Sequence, residues 1–158
     1  MNSLQSLREL IERLPERLLA ISADRADQKP APNSWSKKEE LGHLLDSAAN
    51  NYQRIVRAQL EDKPAMPNYD GDAWIALQRY QQRDWKLLIE LWQALNRQLL
   101  AAAEATPAEA WTRTLTIGDS QPLTLQFVFD DYIEHMLNHL RHIGVQVEDL
   151  APAKAATR

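Results

Sequence analysis

No cysteine occurs among the 158 residues, which excludes disulfides, thiolate metal ligands and a thiol nucleophile carried by the protein itself. Glycine is scarce, at four residues, so there is no glycine-rich loop to cradle a phosphate. Positive charge is not in excess: 18 Lys and Arg stand against 22 Asp and Glu, a formal net charge of -4. That balance offers no footprint for nucleic-acid phosphates or for an anionic membrane surface. Long apolar runs are missing too. The opening stretch MNSLQSLRELIERL alternates Leu with charge, unlike a signal peptide or a membrane span. These absences predict a cytoplasmic protein with neither nucleic acid nor membrane among its partners. What is present, 44% hydrophobic and 25% charged residues, suits one globular domain. We assign residues 1–150 to it and read the small, polar APAKAATR, 151–158, as a disordered tail.

The apolar residues recur with helical spacing. Leu4, Leu7, Ile11, Leu14, Leu18 and Ile21 form one face of a first helix, with a kink or restart expected at Pro15. Residues 24–34, with Pro30 and Pro32, read as a loop. Ser36 followed by Glu39 has the spacing of a capping box and opens a second helix, whose face Leu41, Leu45, Ala48, Tyr52, Ile55 continues to about Asp62. After a loop over 63–72, one long third helix is predicted over about 73–104. A capped turn around Trp111 and a short irregular hairpin between Thr112 and Leu125 follow. A last helix from about Leu125 to Leu150 completes the pattern. Four long amphipathic helices without a parallel-strand pattern predict an all-α four-helix bundle, with one connection crossing the bundle.

All four histidines lie in two segments, GHLLDS and EHMLNHLRHI. His135 and His139 are four apart and share a helix face, with His142 and Asp131 close to the same line. Two imidazoles one turn apart can hold a divalent ion that a third donor from elsewhere completes. Most i, i+4 pairs of this kind are explained by a solvated helix face. His43 stands about 160° from the apolar face of its helix, together with Ser47, Asn50 and Arg54. Periodicity alone therefore leaves it on the solvent side unless another segment covers it.

The two segments WSKKEELGHLLDS (35–47) and DYIEHMLNHLRHI (131–143) together resemble the DinB/YfiT-like superfamily. Its pattern is W-S-x-x-E-x-x-x-H-L-x-D-S opening one helix and H-x-x-x-H on the last. The resemblance spans nearly the whole chain apart from the tail. It implies a DinB-like four-helix bundle carrying one divalent transition metal, with Zn or Ni foremost, on His43, His135 and His139. His142 falls where the family commonly has Gln and is left outside the ligand set. Homodimerisation is implied on the same ground.

Three neutral imidazoles would leave an ion its full charge and an open position, at which water or a thiol is acidified. Asp46 and Asp131, each one turn from a histidine, are candidates to orient the imidazoles, while Glu39 and Glu40 are accounted for by capping and the helix dipole. Trp35, Trp74 and Tyr80 could line a pocket or belong to the core. The expected function is a metal-dependent enzyme, a hydrolase or thiol-dependent S-transferase, that turns water or a low-molecular-weight thiol on a small electrophile. With no Cys in the chain, any thiol must be a cosubstrate. The alternative is a non-catalytic, dimeric metal- or small-ligand-binding bundle with a role in a stress response.

Overall fold

The computed structural model describes residues 2–151, so the tail assigned to 151–158 lies, except for Ala151, outside the described residues. Six helices and three short strands follow in the order α1 (Ser3–Leu19), α2 (Ala23–Asp27), α3 (Lys37–Leu60), β1 (Ala65–Met66), α4 (Gly71–Gln78), α5 (Trp85–Glu104), β2 (Thr114–Ile117), β3 (Leu123–Thr124) and α6 (Leu125–Ile143). The four long helices α1, α3, α5 and α6 form the bundle. Helix α3 packs on α5 and α6, and α1 packs on the same two from the other side. Consecutive pairs α1–α3 and α5–α6 are therefore diagonal, and two connections cross the bundle where one was expected. No helix among the described residues is long and apolar enough to cross a membrane.

Local chemistry sets the helix boundaries. The Ser36 hydroxyl accepts from Glu39 N while the Glu39 carboxylate accepts from Ser36 N at 2.8 Å, the predicted capping box. Asp84 caps α5 by accepting from Leu87 N at 2.8 Å, and Thr124 caps α6 through Phe127 N at 3.1 Å. Helix α1 runs through Pro15 without a restart. Proline leaves the Ile11 carbonyl without its helical donor, and the Gln93 side chain of α5 supplies one, donating Nε2 to Ile11 O at 2.9 Å.

The single third helix predicted over 73–104 is two helices. Arg79 adopts the left-handed conformation (φ 55°), a turn of 3-10 helix covers Tyr80–Gln82, and Asp84 restarts the chain as α5. The loop expected over 24–34 begins with the short helix α2, which Ser22 caps. The last helix ends earlier than predicted, at Gly144, whose φ of 90° suits only glycine well. The turn around Trp111 is 3-10 helix over Ala108–Thr112; the Thr106 hydroxyl bonds back to Ala102 O instead of capping it.

The hairpin forms as β2 and β3, antiparallel, with Leu115 opposite Leu123. Its partner β1 went unpredicted: it pairs in parallel with β2, Met66 opposite Ile117. This small sheet ties the α3–α4 connection to the α5–α6 connection and lies over one flank of α3. The core between the four helices holds Leu7, Leu14, Leu41, Leu44, Leu88, Trp92, Phe129, Tyr132 and Leu140, all nearly inaccessible. Deep within it the Tyr132 hydroxyl donates to the Asn96 side-chain oxygen, and Asn96 Nδ2 donates to Trp92 O at 2.9 Å.

Candidate metal centre

Helix α3 supplies His43 and α6 supplies His135 and His139, and these helices pack directly on one another. The three Nε2 atoms converge: His43 and His139 each bring theirs to 3.1 Å from His135 Nε2. Ring nitrogens of all three lie within 4.8 Å of one another. Such spacing fits a shared cation. Nitrogens about 2.0–2.1 Å from one ion stand roughly 2.8–3.4 Å apart, from octahedral to tetrahedral edges.

Burial sets their protonation. Removal from water pushes the His43 and His135 imidazoles down to about 4, and the mutual repulsion of neighbouring histidines adds to it. Both rings are therefore neutral at pH 7, the form that donates a lone pair to a metal. His139 is held differently. Its Nδ1 lies 2.6 Å from Glu40 Oε2, so Nδ1–H donates to the carboxylate and Nε2 presents its lone pair to the cluster. Glu40 thus has a role that capping and the helix dipole did not reveal. It precedes His43 by one turn on the same face of α3, which is the signal that could have found it.

The aspartates considered as orienting groups stand elsewhere. Asp46 is buried and accepts from the Tyr80 hydroxyl at 2.6 Å and from Gln78 Nε2. Burial pushes its carboxyl up despite those bonds. Asp131 is exposed at the rim of the adjoining cavity. Neither makes a hydrogen bond to a site imidazole; His43 Nδ1 and His135 Nδ1 are buried with no protein partner among the described residues. His142 is 63% exposed, with Nδ1 3.6 Å from Glu40 Oε1, on the outer side of the carboxylate.

Aromatic and backbone groups close the centre. The Trp35 ring stacks near His139 at a centroid distance of 6.0 Å and stands 5.0 Å from His43, while its Nε1 donates to Asp72 Oδ1 at 2.8 Å. Gly71, opening α4, presses its backbone on His43: a Cβ there would meet the ring at 3.3 Å. Tyr80 packs on Gly42, where a Cβ would stand 2.2 Å from its ring, so only glycine admits this approach of the 3-10 turn to α3. Of the three aromatics considered for a pocket, Trp35 lies at the centre, Tyr80 is buried against α3, and Trp74 packs on Tyr69.

Beside His43 and His135 opens a cavity of about 400 Å³, lined by Ser47, Asn51, Arg54, Asn68, Tyr69 and Asp131 among others. Its cover is the β1–α4 loop and the hairpin. That cover is why His43 is only 8% exposed although the helical wheel points it away from the apolar face.

The DinB superfamily model matches residues 6–143. The chain belongs to the DinB superfamily. Among relatives, it is 27% identical over 137 residues to "Putative metal-dependent hydrolase BH0277" of Halalkalibacterium halodurans, covering 84% of this chain and 80% of that protein. It is 25% identical over 141 residues to "Putative metal-dependent hydrolase YfiT" of Bacillus subtilis, covering 89% and 79%. The YfiT structure, with its four-helix bundle, superposes with a TM-score of 0.72 at 23% identity over 91% of this chain and 87% of that one. A mycothiol-dependent maleylpyruvate isomerase superposes at 0.75 with 13% identity, over 90% of this chain and 60% of the isomerase. This DinB fold brings together, on its α3–α6 seam, the three histidines that the two sequence segments carry.

Proposed function

We propose that this DinB protein is a metal-dependent enzyme in which His43, His135 and His139 hold one divalent transition metal, Zn or Ni foremost. The observation that carries the reading is the convergence of three Nε2 atoms from two helices, two of them on imidazoles that burial keeps neutral. Among the described residues no carboxylate shares the cluster of three, and the chain has no Cys. That donor set favours an ion with an open position over a closed structural site.

A divalent ion so held supplies Lewis acidity and lowers the pKa of a bound water or thiol. This chain's own residues do the rest. Glu40 fixes the ring and tautomer of His139, while Trp35 and Gly71 pack the imidazoles and limit access of bulk water. The substrate is a small electrophile entering from the cavity beside His43 and His135. The nucleophile is water or a low-molecular-weight thiol, making the protein a hydrolase or a thiol-dependent transferase. The names of YfiT and of the mycothiol-dependent isomerase support these two chemistries, and the absence of Cys requires any thiol to come as a cosubstrate. The reading includes a cytoplasmic setting and a homodimer, for which Leu87 and Leu91, exposed on α5, offer apolar surface.

Elemental analysis of tag-free protein beside His43→Ala tests the metal. About one ion per chain in the wild type and none in the folded variant is the expected outcome. Folded wild type that takes up no divalent ion would overturn it. Loaded protein is then assayed with an ester and amide panel and with thiols plus electrophiles. A metal without turnover on either would leave the non-catalytic binding bundle.

A further inference from the structure

Four polar side chains of α3 form a buried stripe: His43, Ser47, Asn51 and Arg54 are 8%, 4%, 6% and 9% exposed. Their steps of four, four and three place them on one helix face, and all four line the cavity beside the histidines. Asn51 is oriented by donating Nδ2 to Ser47 O at 2.9 Å, and its Oδ1 accepts from Arg54 Nη1 at 3.2 Å. That is the guanidinium's one protein hydrogen bond among the described residues. It forms no ion pair there either, in contrast to Arg13, Arg17 and Arg57, whose more accessible guanidinia each hold a carboxylate.

A guanidinium carries five donors in a flat fork that matches a carboxylate. Burying one without an anion is costly, and burial does work against the charge of Arg54. The carboxylate whose charge reaches it, Asp131, lines the same cavity without pairing. Arg54's own charge in turn reaches His135. The fork therefore shares a cavity with the metal centre, its remaining donors available to a ligand.

We infer that this cavity selects molecules bearing a carboxylate, which Arg54 receives with Asn51 as its positioning residue. The inference deepens the functional reading above and rests on it: the carboxylate belongs to the molecule whose reactive end meets the metal. Either the thiol or the electrophile could carry it. Uncharged substrates would leave the guanidinium unpaired on closure of the complex and be selected against.

The test uses protein loaded with Co²⁺, whose absorption reports thiolate binding, titrated with 6-mercaptohexanoate and with the neutral 6-mercaptohexanol. The wild type should bind the acid about tenfold or more tightly than the alcohol, the scale of a buried charge-assisted pair. Arg54→Met should abolish that preference by weakening the acid alone, and Arg54→Lys should retain part of it. Hexanoate added to protein saturated with 2-mercaptoethanol separates the sources. Binding alongside the thiol in an Arg54-dependent manner assigns the carboxylate to the electrophile; exclusion of hexanoate, with the acidic thiol still preferred, assigns it to the thiol. Equal affinity of the wild type for acid and alcohol, with hexanoate not bound, would overturn the inference while leaving the metal reading intact. A preference that survives in Arg54→Met would remove Arg54 from it. Failure to take up stoichiometric Co²⁺ would overturn the metal reading, and this one with it.

Discussion

Two faces of α3 are buried to a similar degree by opposite chemistry. On one lie Leu41, Leu44, Leu45, Ala48 and Ile55, from 0% to 8% exposed; on the other lie His43, Ser47, Asn51 and Arg54, from 4% to 9%. The first face meets the bundle core, where each large side chain contributes about 1.5–3 kcal/mol on burial. The second gains nothing of that kind, because polar groups removed from water cost free energy unless fully bonded. Among the described residues His43 Nδ1 is unpartnered and Arg54 is paired with no carboxylate. The apolar face therefore holds the fold and the polar face is carried by it. The difference teaches where to look for function: burial that stability does not explain marks the cavity.

Substitutions on the two faces should separate stability from binding. Leu41→Ala, at a position with no exposure, should show the largest effect, a loss of about 2–5 kcal/mol in urea denaturation. The remaining folded protein should still bind metal at the wild-type ratio. A loss below about 1 kcal/mol, or loss of metal from folded protein, would erase the distinction between the faces. Glu40→Gln should have the reverse signature. It removes the charge that holds His139 Nδ1–H at 2.6 Å and should weaken metal affinity about 10- to 100-fold, as read by competition with a chromophoric chelator. Its melting without metal should change little. Unchanged affinity would return Glu40 to the role its position at the helix start suggests, a charge on the macrodipole.

How much of this was legible in the sequence depended on whether a signal is local. The Ser36–Glu39 box, the hairpin around Gly118 and the one-turn spacing of His135 and His139 are local, and each predicted its structure. The break at Arg79 is not, since no Gly or Pro marks it. An arginine takes the left-handed conformation there because Tyr80 must dock on Gly42, and the nearest signal is the Asp84 cap that restarts α5. Strand β1, only two residues long, has no pattern of its own and exists because β2 lies beside it. Periodicity leaves the polar face of α3 on the solvent side unless another segment covers it, because the pattern registers burial on one side only. The cover arrives from residues 64–71 and from the hairpin, segments distant in sequence. Glu40 escaped notice because a glutamate in a first turn already has a sufficient local reason to be there.

The smallest predicted effect concerns protons and sharpens the same comparison. His43 and His135 titrate at about 4 in the folded, metal-free protein, against about 6.5 in the unfolded chain. Between those values the unfolded state binds protons that the folded state refuses, so stability rises with pH across that window and is lost as pH falls from about 6.5 towards 4. Carboxylates dominate at the acid end, so the informative range is about pH 5 to 6.5. Urea denaturation of the metal-free protein should show a midpoint that rises with pH there. His43→Ala, by removing one proton acceptor of the unfolded state and relieving the crowding of the others, should flatten the slope. Leu41→Ala, on the apolar face, should lower the whole curve and leave its slope unchanged. Parallel curves for all three proteins would mean that the polar face is solvated after all, its imidazoles titrating alike whether the chain is folded or not.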